Sequence, residues 1–213
     1  MLKVKHLFII LFLLPVAALY YSCRDKLPPD IRMKGDSLVY LPLNGIYIDS
    51  GIQVSDKKSA FFVDTITALN PDSLGLYKYT YIAYDEKFNI SAFSRMIQVI
   101  LTQHNLVKNF MVNETVTSGP HIGSYGPYKI ELTSDDADTS KMWISNFGGY
   151  GSDVKAYMTF DMLGNLIIPE QSFDEGTLKG TGKVRYDANY FEIIYQLALA
   201  KGTDSSNFQA TIH

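Results

Sequence analysis

Few residues in this sequence have the types and spacing that catalysis requires. Of its four histidines, one lies in an apolar leader and one is the last residue, which leaves His104 and His121. No zinc-protease, nucleophile-elbow or phosphate-loop motif occurs in the chain. His121 would need Lys141 or Asp153 as an acid–base partner, and nothing in the sequence brings them together. We therefore expect that the chain is not an enzyme and that it binds no cofactor.

Two sets of aspartates could supply oxygen ligands to a metal ion. Residues 135–138 read Asp-Asp-Ala-Asp but lack the glycine and the distal glutamate of a calcium-binding EF-hand loop, so a solvated turn is favoured. Asp49, Asp56 and Asp85 flank predicted strands, and calcium needs six or more oxygens at one point. Turn-forming or capping roles are the favoured alternative, and we expect no metal site.

Aromatic residues beside glycine-rich loops are the best candidates for ligand contact. Tyr125 and Tyr128 end a glycine- and proline-rich segment, and Trp143 and Tyr150 flank the glycines at 148–149. Aromatic faces exposed by such loops stack on sugar rings or on peptide side chains. The alternative is that the tyrosines are half-buried strand residues and that Trp143 lies in a core. These four residues are the candidate ligand-binding residues.

The first 22 residues predict a secretory signal peptide. Lys3 and Lys5 precede an apolar run of 15 residues, which is shorter than the roughly 20 residues of a membrane-spanning helix. Cys23 follows Ser22 at the end of this run. It is the single cysteine of the sequence, so we expect no intramolecular disulfide. This arrangement resembles the processing site of bacterial lipoproteins. The resemblance implies cleavage before Cys23, lipidation of its thiol and of the new amine, and anchoring in the outer membrane.

Composition and charge exclude several classes of protein. The chain is 46% apolar and 19% charged, with 28 aromatic residues, which excludes a disordered tail or a coiled coil. Its net charge of −3 provides no basic field for nucleic acid. Without the leader, 17 basic side chains remain against 22 acidic ones. Anionic headgroups repel such a surface, so the lipid on Cys23 must hold the chain to the membrane.

Short runs rich in β-branched and aromatic residues, separated by turn residues, predict an all-β chain with two modules. A tether at 23–34 leads to a first module at 35–102, and the second module covers 108–213. In the first module we expect strands at 37–43, 60–67, 77–84 and 91–101. In the second we expect strands at 107–118, 128–133, 141–145, 155–161, 166–169, 176–186, 190–199 and 208–212, with a helix as the alternative near 190–200. This pattern predicts a β-sandwich followed by a second sandwich or a small barrel.

Two motifs of the first module resemble bacterial immunoglobulin-like modules. Residues 44–56 contain Tyr-Ile-Asp-Ser-Gly, similar to the family's opening Tyr-x-Asp-x-Gly. Residues 74–85 contain Gly-Leu-Tyr-Lys-Tyr-Thr-Tyr-Ile-Ala-Tyr-Asp, similar to its closing strand, and Phe88 stands where the family has glycine. The resemblance implies an Ig-like β-sandwich that serves as a spacer or stalk.

Four features of the second module resemble the C-terminal domains of accessory lipoproteins found beside Sus-type nutrient importers in Bacteroides-like bacteria. They are Met-Trp-Ile-Ser-Asn-Phe-Gly-Gly at 142–149, Ile-Ile-Pro-Glu-Gln at 167–171, Gly-Thr-Gly at 180–182, and Tyr195. The resemblance implies a surface-exposed lipoprotein that works with SusC- and SusD-like subunits of a TonB-dependent importer and captures an oligosaccharide or a peptide. The alternatives are a purely structural or docking subunit and an adhesin, with no small ligand.

Three tripeptides of the type Asp-(Ser/Thr)-apolar resemble the acceptor of O-glycans in the same bacteria. Their acceptor residues are Ser37, Thr65 and Ser73. The resemblance implies an exported location and a mass excess on the native protein.

Overall fold

A computed structural model describes residues 26–57, 60–120, 122–173, 176–185, 190–199 and 205–213. Among these residues the prediction of an all-β chain is confirmed, and a short helix, α1 (Gln103–Leu106), lies between the two groups of strands. The first group comprises β1 (Asp30–Met33), β2 (Leu38–Pro42), β3 (Ile52–Ser55), β4 (Phe61–Thr67), β5 (Gly75–Asp85) and β6 (Ile90–Ile100). The second comprises β7 (Asn109–Ser118), β8 (Gly123–Ser134), β9 (Lys141–Ser145), β10 (Lys155–Phe160), β11 (Asn165–Phe173), β12 (Gly176–Arg185), β13 (Tyr190–Leu199) and β14 (Ser205–Ile212).

The first six strands form a two-stranded sheet, β1-β3, and a four-stranded sheet with the order β2-β6-β5-β4. Strand β2 runs parallel to β6, whereas β4 and β5 are antiparallel. Strand β1 begins inside the segment predicted as a tether, so that segment is paired with β3 from residue 30 onward. The described chain divides into two compact units, and strands β5 and β6 each contribute residues to both.

The first unit takes residues 26–37, 50–57, 60–67 and 79–95 of the described chain. Within it, the turn between β5 and β6 depends on Asp85, whose carboxylate accepts hydrogen bonds from the backbone N–H groups of Lys87 and Asn89, each at 2.8 Å. Phe88 adopts the left-handed conformation there, with φ of +61°. Asp85 therefore stabilises the turn, as the favoured alternative to a calcium site proposed. Phe88 takes the backbone conformation that usually favours glycine.

The second unit takes residues 38–49, 68–78 and 96–120, and the described remainder to 213. Its main part is a closed barrel of eight antiparallel strands, in which each strand from β7 to β13 pairs with the next along the chain. Strand β14 pairs with β7 and closes the barrel. The C-terminal module is thus a barrel, and the alternative of a second sandwich is wrong. The strand predicted at 190–199 is confirmed as β13, and its helical alternative is wrong.

Alternation of side chains along the strands builds the barrel interior. On β7, Phe110, Val112, Glu114 and Val116 point inward, and the alternate residues Met111, Asn113 and Thr115 face solvent, because successive side chains of a strand point to opposite faces. An interior this narrow is filled by side chains over most of its length. Its fully buried members include Leu132, Met142, Met158, Leu166, Leu178 and Phe191.

A side chain bridges a gap in the barrel wall between β10 and β11. These strands pair only at Thr159–Ile167 and Phe160–Leu166. Further along, the Gln171 side chain accepts a hydrogen bond from the Tyr157 N–H at 2.9 Å and donates to the Tyr157 carbonyl at 2.8 Å. The Gln171 side chain therefore satisfies the Tyr157 backbone groups at a point where the backbones of β10 and β11 are not paired.

Candidate functional site

The barrel contains a cavity of about 580 Å³ at the end where β7 finishes and β8 begins. This volume lies in the range of small-ligand pockets, and the mouth of a barrel is a common place for one. Its described lining residues come from β7, β8, β14 and the 3₁₀ turn after β9, and they are Glu114, Val116, Tyr125, Gly126, Pro127, Tyr128, Gly148, Gly149, Tyr150 and Phe208.

A buried carboxylate is part of the lining of this cavity. Glu114 occupies an inward position of β7, in the row of Val112 and Val116, and only 4% of it is exposed. Its Oε2 accepts a hydrogen bond from the Tyr128 hydroxyl at 2.7 Å, and its Oε1 accepts one from the Tyr195 hydroxyl. The three side chains come from β7, β8 and β13, so only the closed barrel brings them together.

The two tyrosines that contact Glu114 are held as hydrogen-bond donors. Burial raises the pKa of Tyr128 and of Tyr195 far above the usual tyrosine range, and the nearby negative charge of Glu114 raises both further. Both hydroxyls therefore keep their protons at any physiological pH and donate to the carboxylate.

A β-bulge turns two tyrosines of β8 toward the same cavity. Val112 pairs with Tyr128 but Glu114 pairs with Tyr125, so the two residues 126–127 lie opposite a single residue of β7. In a regular strand, residues three apart point to opposite faces. The extra residue shifts this alternation, so Tyr125 and Tyr128 both line the cavity.

Two glycines of the cavity wall lie so close to neighbouring atoms that no side chain fits there. Gly126 has φ of +104°, and a Cβ there would lie 2.5 Å from the Val112 carbonyl oxygen. Gly148 has φ of +65°, and a Cβ there would lie 2.7 Å from a ring carbon of Tyr150. Any larger residue at these positions would be strained and would displace its neighbour.

Aromatic packing fixes Tyr195 beneath the cavity. Its ring stacks on Phe208 with 4.6 Å between centroids and meets the edge of Phe147 at 4.8 Å. Gly180 lies opposite it on β12, where a Cβ would come within 2.6 Å of the Tyr195 Cβ. The Gly-Thr-Gly motif is thus mid-strand, and its first glycine makes room for Tyr195.

The structure brings together three of the four predicted ligand-binding residues: Tyr125, Tyr128 and Tyr150 all line the cavity. Trp143 is not part of it. Its indole N–H donates to Asp135 at 2.9 Å, and the Lys141 ammonium lies 4.3 Å from its ring centroid. Trp143 is therefore a half-buried residue of β9, on the side opposite the inward-facing Met142 and Ile144.

Sequence reasoning missed Glu114, and it did not assign the Tyr195 hydroxyl or Phe208 to a binding site. A signal for Glu114 was present, because a single acidic residue interrupts the otherwise apolar inward row of β7. Tyr195 and Phe208 carried no comparable signal, since buried aromatic residues are ordinary in a barrel core.

The acidic segment near residue 135 forms a turn. Asp135 accepts hydrogen bonds from the backbone N–H groups of Ala137 and Asp138 and forms an ion pair with Lys141 at 3.1 Å. The Lys141 ammonium, the Ala137 N–H and the Trp143 indole together lower the pKa of Asp135 to about 2. Across the described residues, no three His, Cys, Asp or Glu side chains are grouped so that they could hold a metal ion.

Several other predicted residues lie away from the cavity or outside the described chain. Cys23, the signal peptide and His121 fall outside the described residues. Of the O-glycan acceptors, Ser37 and Thr65 are exposed, and Ser73 is half-buried.

In the described part of the chain, no helix has the length and apolar character needed to span a membrane.

Comparison with known proteins gives only distant structural likenesses. No family model and no curated protein matches the chain. The lipoprotein BT2262 from Bacteroides thetaiotaomicron is similar over 85% of this chain and 98% of its own, with 14% identity and a TM-score of 0.32. A Bacteroides ovatus protein of unknown function is similar over 87% of this chain and 79% of its own, with 10% identity and a TM-score of 0.36. At these values neither likeness assigns a ligand or a partner to this chain.

Proposed function

We propose that this chain is a lipid-anchored outer-membrane protein whose barrel mouth captures a small ligand at the cell surface. In this proposal the ligand is an oligosaccharide or a peptide, and the protein is an accessory of a Sus-type, TonB-dependent importer. The leader and Cys23 support the anchor. The observation that carries the binding role is the cavity of about 580 Å³ with a buried carboxylate and several aromatic walls.

The walls suit a ligand that is partly flat and partly polar. Tyr125 and Tyr150 are each 48% exposed, so part of each side chain faces solvent at the mouth, where an aromatic ring can stack on a ligand. Glu114 lies deeper and supplies an acceptor that orients a polar group of the ligand. A few oriented polar groups within an aromatic pocket are the usual design of a binding site.

A binding role is favoured over catalysis. Glu114 is the only carboxylate among the described residues of the cavity lining, which include no histidine. Glycoside hydrolysis uses a pair of carboxylates, and acid–base catalysis uses a group that titrates near the working pH. Because burial raises the pKa of Tyr128, its hydroxyl stays protonated and cannot accept a proton as a general base.

The N-terminal module is proposed as an Ig-like spacer between the lipid and the barrel. Six strands in two sheets, one of them with β2 parallel to β6, support this part of the proposal.

A docking role is the second candidate, and strand β4 favours it. All seven residues of β4 are exposed, among them Phe61, Phe62, Val63 and Ile66 at 41% or more. The strand also lies at the edge of its sheet. Exposed apolar edge strands are typical contact sites for a protein partner.

Binding is tested with the mature chain on glycan and peptide arrays, followed by calorimetry with any hit. Tyr150→Ala should weaken binding about two- to tenfold through the loss of one stacking surface. Tyr40→Ala removes a tyrosine that is 54% exposed on β2 and serves as the matched control. Equal loss in both variants, or no hit with folded protein, would contradict capture at the barrel mouth.

The proposed assembly is tested by detergent pull-down of the intact lipoprotein from its own membranes. Recovery of a porin-like importer with its lid lipoprotein supports the accessory role. If Phe62→Ser on β4 abolishes that recovery while ligand binding persists, the docking surface is β4. Recovery of the protein alone would instead favour a free-standing binder or adhesin.

A further inference from the structure

The charge balance of the cavity identifies the class of ligand group that it accepts. Glu114 is 4% exposed, and it accepts two hydroxyl hydrogen bonds, one on each oxygen. A carboxylate offers about four lone-pair positions, so one position on each oxygen remains for a ligand. The described lining of the cavity contains no lysine, arginine or histidine.

The Glu114 carboxylate is buried, and the described lining of the cavity offers it no cation. Removing a charge from water is unfavourable unless an opposite charge lies beside it, and hydrogen bonds from two neutral hydroxyls offset only part of this unfavourable free energy. Tyr128 and Tyr195 remain protonated donors, so neither adds a second negative charge to the site. A positively charged ligand group would supply the missing partner, whereas a second anion would be repelled.

The aromatic walls favour the same class of group. The rings of Tyr125, Tyr128 and Tyr150 line the cavity into which Glu114 faces. Aromatic faces attract ammonium groups through their quadrupole, and this attraction increases where water is excluded. Carboxylate and rings together form a partly enclosed site for a cation.

We propose that the barrel-mouth cavity binds an ammonium group of its ligand, with Glu114 as the counter-ion and the three tyrosine rings around it. This inference rests on the proposed capture function and adds the chemistry of the captured group. Two sources carry that chemistry: the amine of a peptide, at its N-terminus or on lysine, and the amine of an amino sugar.

The test compares matched pairs of probes that differ in one charge. The first pair is Nα-acetyl-lysine amide and its Nε-acetylated form, and the second is glucosamine and N-acetylglucosamine. Each is titrated calorimetrically into the mature chain at about pH 6, where a lysine amine is fully protonated. We expect the charged member of at least one pair to bind about tenfold more tightly than its neutral partner. The pair that shows this preference identifies the source.

Two variants locate the preference. Glu114→Gln keeps the size of the side chain and removes its charge, and should reduce the preference to about twofold or less. Glu131→Gln removes the same charge from an outward-facing, exposed position of β8 and should leave the preference intact. The wild-type ratio tests the inference even if Glu114→Gln fails to fold.

The outcomes separate this inference from the proposed function. Equal binding of charged and neutral probes by the wild type overturns the ammonium assignment but leaves capture standing. A preference that survives Glu114→Gln overturns the role of Glu114. No binding of any probe, together with no array hit, overturns the capture function and this inference with it.

Discussion

Replacing Tyr195 by phenylalanine removes one hydroxyl that donates to Glu114 and keeps the ring that packs against Phe147 and Phe208. Tyr195 is 3% exposed, so little space is open for water to take the place of its lost hydroxyl. A hydrogen bond to a charged group contributes about 1.5–3 kcal/mol. We therefore expect Tyr195→Phe to lower the free energy of unfolding by about 2 kcal/mol.

Urea unfolding of the mature chain measures this change. The only tryptophan, Trp143, lies on β9 of the barrel and reports its unfolding by fluorescence. With a slope of about 2 kcal/mol per molar urea, the midpoint should fall by about 1 M with the slope unchanged. Tyr40→Phe is the control, because Tyr40 is 54% exposed, and it should stay within about 0.5 kcal/mol of wild type. A Tyr195→Phe midpoint equal to that of Tyr40→Phe would refute a stabilising role for the buried network.

Three other outcomes are expected. Gln171→Ala removes the hydrogen bonds to the Tyr157 backbone and should lower the free energy of unfolding, measured in urea, by about 1–3 kcal/mol. Gln209→Ala, at an exposed position, should leave the free energy of unfolding nearly unchanged. Equal urea midpoints of the two variants would contradict the bridging role of Gln171. Folding raises the pKa of Tyr195, so the protonated hydroxyl contributes fully to the free energy of unfolding below about pH 10, and this contribution is lost as the pH rises further. Urea midpoints above about pH 10 should therefore fall more steeply in wild type than in Tyr195→Phe, and parallel curves would argue against the raised pKa. The carboxyl of Asp135 should titrate by NMR at about 2 and move toward the usual aspartate range in Lys141→Met; an unchanged value would rule out the ion pair as a cause.

Local sequence patterns predicted most of the strands. Five of the eight barrel strands begin and end within two residues of their expected positions, and β9 spans the expected residues 141–145. Strand β8 begins five residues earlier than expected, β11 ends four residues later, and β14 begins three residues earlier. Strands β1 and β3 were not predicted, because each has only four residues and too few alternations to stand out.

The candidate site was predicted in part. Tyr125, Tyr128 and Tyr150 were selected because they lie beside glycine-rich loops, and all three line the cavity. Trp143 was selected on the same reasoning but points away from the interior, since Met142 and Ile144 take the inward positions of β9. Proximity to a loop in sequence does not determine which face of a strand a side chain occupies.

The sequence alone determined the all-β class, the approximate strand positions and the candidate aromatic residues, because side-chain alternation and turn chemistry act over a few residues. The closure of the barrel by β14 and β7 was decided by tertiary structure, since it joins strands about 100 residues apart. The same closure brings Tyr195 of β13 to Glu114 of β7, and the bulge at 126–127 turns Tyr125 and Tyr128 to one side. A buried carboxylate with two tyrosine donors exists only when non-local pairing is complete, so no local pattern could specify it.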